Sequence, residues 1–178
     1  MSGKGVIRLE FRPLEVTDVK ALQRVFIDSL SDLIRREAFD DAEVLEEEVE
    51  RLNTTIQDSL ADDDVKMYVV VKDGAIVGAA ASLPPNEIIT GHLEIETDAR
   101  EIGCVYVAPH AQRQGVGTFL LERMCDTLRR EGKRFFYLDA GFSTAQAYWR
   151  HRLGEPILVL EHYWGTGAPH FIWRHQLT

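Results

Sequence analysis

The stretch that most limits what this chain can become runs from Arg100 to Arg130, REIGCVYVAPHAQRQGVGTFLLERMCDTLRR. It begins as an apolar strand and is broken by Pro109. It resumes near Val116 as an amphipathic helix whose stripe is Val116, Phe119, Leu120, Met124 and Leu128, with Gly132 as a stop signal after Glu131. Between the two stands Gln112-Arg113-Gln114-Gly115-Val116-Gly117. A core has no use for that order. The first N–H groups of a helix have no partner inside it, and with the helix dipole they make a ready anion site. Glycine lets an anion reach the backbone where a Cβ would stand in the way. Arg113 adds a cation. A diphosphate suits this turn.

Three diphosphate patterns compete. The nucleotide P-loop requires Lys-Ser/Thr after its last glycine, and Thr118-Phe119 stands there instead. The dinucleotide fingerprint fits in part, through Gly115, Gly117 and Asp139, an acid about 20 residues further on. Leu120 occupies its third glycine, and nothing after residue 155 continues a β-α alternation. The pattern Gln/Arg-x-x-Gly-x-Gly/Ala is satisfied in full by Gln112 to Gly117.

The rest of the chain reads as one mixed α/β domain over 1–178. VIRLEFRPLE alternates Ile7, Leu9 and Phe11 with charges, a strand that stops at Pro13. Thr17 is the expected N-cap of a helix carrying Val19, Leu22, Val25, Phe26 and Leu30. A second, acidic helix follows with a thin stripe of Val44, Leu45, Val49, Leu52, Ile56 and Leu60. Asp73-Gly74 joins two strands as a hairpin. Residues 84–100 read as an irregular loop with at most a short edge strand. RFFYLDAG is a strand, TAQAYWRHRLG a short helix, and the chain closes on two strands around GTGAP.

Composition narrows the partners. The formal charge is −9, and between Asp28 and Asp64 there are 14 acids against Arg35, Arg36 and Arg51. Such a field disfavours nucleic acid and anionic membranes, and it suits a cationic partner or a solvated helix face. No run approaches the roughly 20 apolar residues of a membrane span, and the first residues carry no apolar segment of signal-peptide length. Cys104 and Cys125 lie in apolar patterns, as reduced core residues of a cytoplasmic protein would. His151, His162, His170 and His175 have no metal-ligand spacing, so no metal is expected. Trp149, Trp164 and Trp173 suit a core or a substrate wall.

The strand, Pro109, Gln112-x-x-Gly115-x-Gly117 and the helix in register resemble the GNAT superfamily of N-acetyltransferases. The two N-terminal helices, the DGAIVGAA hairpin and AQAYWRHRLG also fall in that family's order, so the resemblance spans nearly the whole chain. It implies a central, mostly antiparallel twisted sheet flanked by helices, with a splayed strand pair holding CoA. It implies acetyl-CoA as co-substrate and direct transfer to an amine in a ternary complex. The diphosphate falls to Gln112, Arg113, Gln114, Gly115, Val116, Gly117 and Thr118, and the pantetheine arm to the edge of Val105, Tyr106 and Val107. The N–H near Val105 would polarise the thioester carbonyl. Glu101 falls on the family's carboxylate base, with Asp139 as a rival that could instead cap the reversal at Gly141. The family's acid is a tyrosine, and here Trp149 aligns with it while Tyr148 precedes it. Ser143 and Thr144 stand where an Asn is common. The acceptor is a small-molecule or peptide amine, and pairing of two copies is a family habit. Two other readings stay open: a CoA-binding module without catalysis, and a nucleotide-dependent oxidoreductase.

Overall fold

The computed structural model describes residues 8–37 and 42–178. Ile7 of the first strand and Asp40 and Asp41 of the acidic stretch lie outside the described residues. Seven strands form one sheet in the order β1-β2-β3-β4-β5-β7-β6. They are β1 (Leu9–Pro13), β2 (Lys66–Lys72), β3 (Ala75–Leu83), β4 (Glu101–Val107), β5 (Phe135–Ala140), β6 (Leu158–Leu160) and β7 (His170–Gln176). Every neighbouring pair is antiparallel except β4 and β5. The helices are α1 (Val19–Arg36), α2 (Ala42–Ala61), α3 (Glu87–His92), α4 (Val116–Arg130) and α5 (Ser143–Leu153). The expected fold class holds: a mixed α/β architecture whose sheet is flanked by helices.

Each face of the sheet buries a helical stripe. Leu22, Phe26 and Leu30 of α1 and Leu52 and Ile56 of α2 lie four or eight positions apart and pack on Met67, Val69, Ala79, Ala81 and Cys104. On the opposite face Val116, Leu120, Met124 and Leu128 of α4 meet Val70, Val77, Ala80, Ile102, Phe136 and Leu138, joined by Trp149 of α5 and Trp173 of β7. Cys104 and Cys125 are buried free thiols, as expected.

Two local expectations fail. Thr17 does not cap α1; a short 3-10 turn over Val16–Asp18 precedes the helix instead. Asp18 is fixed there by Arg12 at 2.6 and 2.9 Å and by the Glu15 N–H at 2.8 Å. A buried, bidentate acid wins over a one-bond threonine cap. Residues 84–100 hold α3 and no strand. Asn86 caps this helix, its Oδ1 accepting from the N–H of Ile88 at 2.9 Å and of Ile89 at 3.1 Å. Ile89 is fully buried against Ala99, Tyr137 and Ile172, a burial that contributes about 1.5–3 kcal/mol and docks α3 on the β5–β7 half. The signal was Asn86-Glu87, a cap followed by a first-turn acid, in a stretch too short to show a period.

Candidate active site

At the C-terminal end of β4, Ala108 donates to the Val77 carbonyl at 2.8 Å, and a 3-10 turn over Pro109–Ala111 redirects the chain. The backbone then passes through positive φ at Arg113 (59°) and Gly115 (85°). The two glutamines brace this turn with their side chains. Gln112 Nε2 donates to the Val107 carbonyl at 3.1 Å while its Oε1 accepts from Arg36 at 3.4 Å. Gln114 Nε2 donates to the His110 carbonyl at 2.9 Å while its Oε1 accepts from Lys72 at 2.7 Å. The side chains of Gln112 and Gln114 therefore hold the loop's shape, and its backbone is left to bind. Phe119 N–H to Gly115 C=O, at 3.0 Å, begins the α4 ladder, so the N–H groups of Val116, Gly117 and Thr118 lie ahead of it.

The two glycines serve different ends. Gly115 supplies the left-handed turn, and a Cβ there would meet nothing within 4 Å. Gly117 is helical, and a Cβ on it would stand 2.9 Å from the Tyr148 hydroxyl. The Tyr148 hydroxyl thus packs on the first turn of α4, and the N–H groups of Val116, Gly117 and Thr118 with Arg113 beside them have the chemistry that suits the diphosphate of CoA.

Beyond the vertex, β4 and β5 separate. Their ladder has one register pair, Glu101 with Tyr137, supported by Tyr137 N–H to Arg100 C=O at 2.8 Å. β5 stays paired with β7 along Phe135–Ala140, and β4 with β3 through Val107. The gap between them is lined by Val105, Tyr106 and Val107 on one edge. Val107's carbonyl already accepts from Ser29 Oγ and Gln112 Nε2, each at 3.1 Å, so Val105 and Tyr106 are the freer part of that edge.

A bulge in β4 sorts its side chains. The register with β3 shifts between Ala79 and Ala81, and Cys104 takes φ 53°. Cys104 and Tyr106 then pack on the α1–α2 face, and Ile102, Val105 and Val107 on the α4 face. An unbulged strand would put Cys104 with Ile102, because side chains alternate. Glu101 and Gly103 precede the bulge, and the space beside Gly103 is taken by the Glu101 carboxylate, 3.0 Å from where a Cβ would sit.

Glu101 is 5% exposed and lies in a cluster of side chains from four segments. Its Oε2 accepts from the Asn86 N–H at 2.8 Å and its Oε1 from Asn86 Nδ2 at 3.2 Å. Asn86 Nδ2 also donates to Asp139 Oδ2 at 2.9 Å. Asp139 Oδ2 is bonded as well to His170 Nε2 at 2.9 Å, and Trp164 Nε1 donates to His170 Nδ1 at 3.0 Å. An indole N–H can only donate, so Nδ1 accepts and the imidazole's proton sits on Nε2, facing Asp139. Asp139 thus belongs to this cluster and does not cap the turn at Gly141. Burial first, and then the Asp139 charge, push the Glu101 carboxyl up to about 8, against the Asn86 hydrogen bonds and Arg51.

Three further side chains surround this region. Tyr148, 39% exposed, faces the glycine loop, whereas Trp149 is buried in the α4-side core. The side chain that reaches the site is therefore Tyr148, and burial raises its hydroxyl above the ordinary tyrosine value. Glu37, at the end of α1, accepts from Ser143 Oγ, Thr144 Oγ1 and Thr144 N–H, each at 2.6 Å. It ties α1 to the start of α5 across the mouth of the gap. On the α2 side Arg51 bonds Glu48 at 2.8 Å and reaches Cys104 Sγ at 3.9 Å. Asn86, His170, Trp164, Arg51 and Glu37 carry no motif, and of these only Asn86 had a local signal.

With this geometry in view, the comparisons are decisive at the family level. Residues 27–154 match the model of the acetyltransferase (GNAT) family. The chain belongs to the GNAT acetyltransferase family. No curated protein matches it significantly. Among solved structures, a GNAT-family protein of Desulfovibrio desulfuricans superposes with a TM-score of 0.74 at 18% identity, over 96% of this chain and 100% of that one. The PaiA N-acetyltransferase of Thermoplasma acidophilum, solved with coenzyme A, gives 0.69 at 17%, over 95% and 99%. The ribosomal-protein-S18-alanine N-acetyltransferase of Escherichia coli gives 0.66 at 18%, over 96% and 95%. At these identities the likeness is one of fold. Among the described residues of this GNAT acetyltransferase no group of acids, histidines or cysteines could hold a metal, and no helix is long and apolar enough to cross a membrane.

Proposed function

We propose that the protein is an acetyl-CoA-dependent N-acetyltransferase that passes acetyl to a primary amine while both are bound. The observation that carries this reading is the gap itself. It has an anion-ready loop at one end and a buried carboxyl with raised proton affinity at the other. Acetyl-CoA brings the activated acyl carbon and its thiol leaving group. The N–H groups of Val116, Gly117 and Thr118 receive its diphosphate, with Arg113 beside them. The edge of Val105 and Tyr106 aligns the pantetheine arm, and the Val105 N–H is the donor for the thioester oxygen.

An ammonium cannot attack until it loses a proton. Glu101 is nearly buried, so it takes that proton through a water. A carboxyl pushed up to about 8 is a far stronger base than an exposed glutamate, and its deprotonated share grows as pH rises through that value. The Tyr148 hydroxyl, kept protonated by burial, supplies a proton to the departing thiolate. The acidic stretch gives a long-range field suited to a cationic acceptor, although Arg51 of α2, paired with Glu48, reaches Cys104 of β4. Buried free cysteines suit a reducing compartment.

The test is thiol release from acetyl-CoA with a panel of small amines and peptide N-termini. Glu101→Gln should lower turnover by roughly 10²–10⁴-fold with acetyl-CoA affinity nearly unchanged, and the loss should shrink at high pH. A small loss that is the same at every pH would remove Glu101 from the reaction. Thermal stabilisation by NADH in place of acetyl-CoA would remove the whole reading.

A further inference from the structure

Asp139 is not explained by packing. It is a carboxylate on β5, its side chain 13% exposed, placed opposite another buried carboxyl at the vertex of the gap. A negative charge held beside a buried carboxyl makes that carboxyl harder to ionise. A protein that merely filled this vertex would use a neutral residue. Here the chain holds the second acid in place with two donors on one oxygen, Asn86 Nδ2 and His170 Nε2, each at 2.9 Å.

The clamp is itself fixed. Asn86 uses all of its amide: Nδ2 bridges Glu101 and Asp139, and Oδ1 caps α3. His170 is 5% exposed, and Trp164 fixes its tautomer. An amide passes no proton, so the link from Asp139 to Glu101 is electrostatic and geometric.

We propose that Asp139 is a positioning residue that, clamped by Asn86 and His170, sets the pH at which Glu101 can take a proton from the acceptor. Its negative charge disfavours the ionised form of Glu101. The other groups facing Glu101 are Arg51 from α2 and the Cys104 thiol on β4 itself. His170 stands behind Asp139 on β7. Arg51 acts in the opposite sense to Asp139, and Cys104 is neutral at working pH because burial raises its thiol.

The inference rests on Glu101 being the base, so its test has two readouts. The first is the carbon-13 NMR titration of the Glu101 side-chain carboxyl, assigned by its disappearance in Glu101→Gln. The second is the acid limb of kcat/KM with one fixed amine, so that the acceptor's own titration cancels between variants. Asp139→Asn keeps an oxygen for both donors and removes the charge. The Glu101 titration should fall by about one pH unit or more, and the acid limb should move with it, while the plateau drops less than about tenfold. His170→Phe removes the donor and keeps a ring among Tyr163 and Trp164. With that clamp loosened, the Asp139 charge is held less firmly beside Glu101, which should titrate lower than in the parent by a smaller amount. An unmoved Glu101 titration in both folded variants, judged by unchanged acetyl-CoA affinity, overturns the inference. A loss of 10²-fold or more at every pH in Asp139→Asn also overturns it, because Asp139 would then be on the reaction path. A shifted carboxyl titration with an unshifted limb sinks instead the assignment of Glu101 as base.

Discussion

The two ends of β4 solve their tasks with different materials. At the C-terminal end the chain turns within a few consecutive residues, Pro109 to Gly117, and what it offers a ligand is backbone N–H at the start of α4. At the N-terminal end Glu101 meets Asn86, 15 positions away, and through it Asp139, 53 positions from Asn86, with His170 and Trp164 beyond. One site is local and made of peptide groups. The other is assembled by the sheet order and made of side chains. Between them runs the bulge at Cys104, which keeps Glu101 on the α2 face while turning Val105 toward the α4 face.

The most severe way to separate the two ends is Gly117→Glu. Its side chain must displace the Tyr148 hydroxyl, 2.9 Å from the new Cβ, and then lies with a negative charge where the diphosphate belongs. Losing even two charge-assisted hydrogen bonds at roughly 1.5–3 kcal/mol each weakens CoA at least about a hundredfold. Calorimetry with CoA should show this, while the Glu101 carboxyl titrates as in the parent. CoA affinity that does not change would show that the loop is not the diphosphate site. A displaced Glu101 titration would show that the two ends are not independent.

Legibility followed the same division. The loop could be read from the sequence because strand, proline, glycines and helix are contiguous and each has one physical reason. Even so, the roles of Gln112 and Gln114 as braces emerged only when Val107, Arg36, His110 and Lys72 were seen around them. Glu101 could be named because the family resemblance puts a carboxylate base at the start of the strand that leads into the loop. Its raised proton affinity could not, because burial and the Asp139 charge arise from tertiary packing. Asp139 was visible as an acid at a strand end, but the choice between cap and cluster depends on β7 lying beside β5. The helix α3 was missed because six residues carry no period. Thr17 was misjudged because a distant arginine decides how the chain enters α1.

Tyr148→Phe probes the middle of the gap, where the backbone-built and side-chain-built parts meet. Trp149 is buried, so removing the Tyr148 hydroxyl beside Gly117 leaves no neighbouring tyrosine on α5 to replace it. If it protonates the thiolate, turnover should fall by about 10- to 10²-fold, at or below the low end of acid catalysis, because a thiolate leaves readily. CoA affinity should change little. The hydroxyl is held above its ordinary value by burial, so the parent should lose no activity through this group until the pH passes 10. A fall in affinity with no fall in turnover would make Tyr148 a wall of the cradle.

The smallest expected effect tests whether side chains beyond the glutamine braces shape what the C-terminal end binds. Glu37 crosses the mouth of the gap to hold the first turn of α5, accepting three hydrogen bonds from Ser143 and Thr144. Burial opposes its charge, but the bonds from Ser143 and Thr144 outweigh it and hold the carboxyl below its ordinary value. A carboxyl lowered in the folded state adds stability that is present above its unfolded value and is lost as pH falls through the lower, folded one. Glu37→Gln leaves one oxygen for three donors. The cost should resemble a lost helix cap at its lower end, about 0.5–1 kcal/mol, because Thr144 is open to solvent. For a chain of this length that is a Tm lower by roughly 1–4 °C at neutral pH. The difference should be constant from pH 6 to 8 and close toward pH 3. CoA affinity should stay within about threefold, since the loop's N–H groups are not touched. A tenfold change in CoA affinity would mean that the strap from α1 to α5 shapes the cofactor's path, and that both ends of β4 depend on side chains brought from far along the chain.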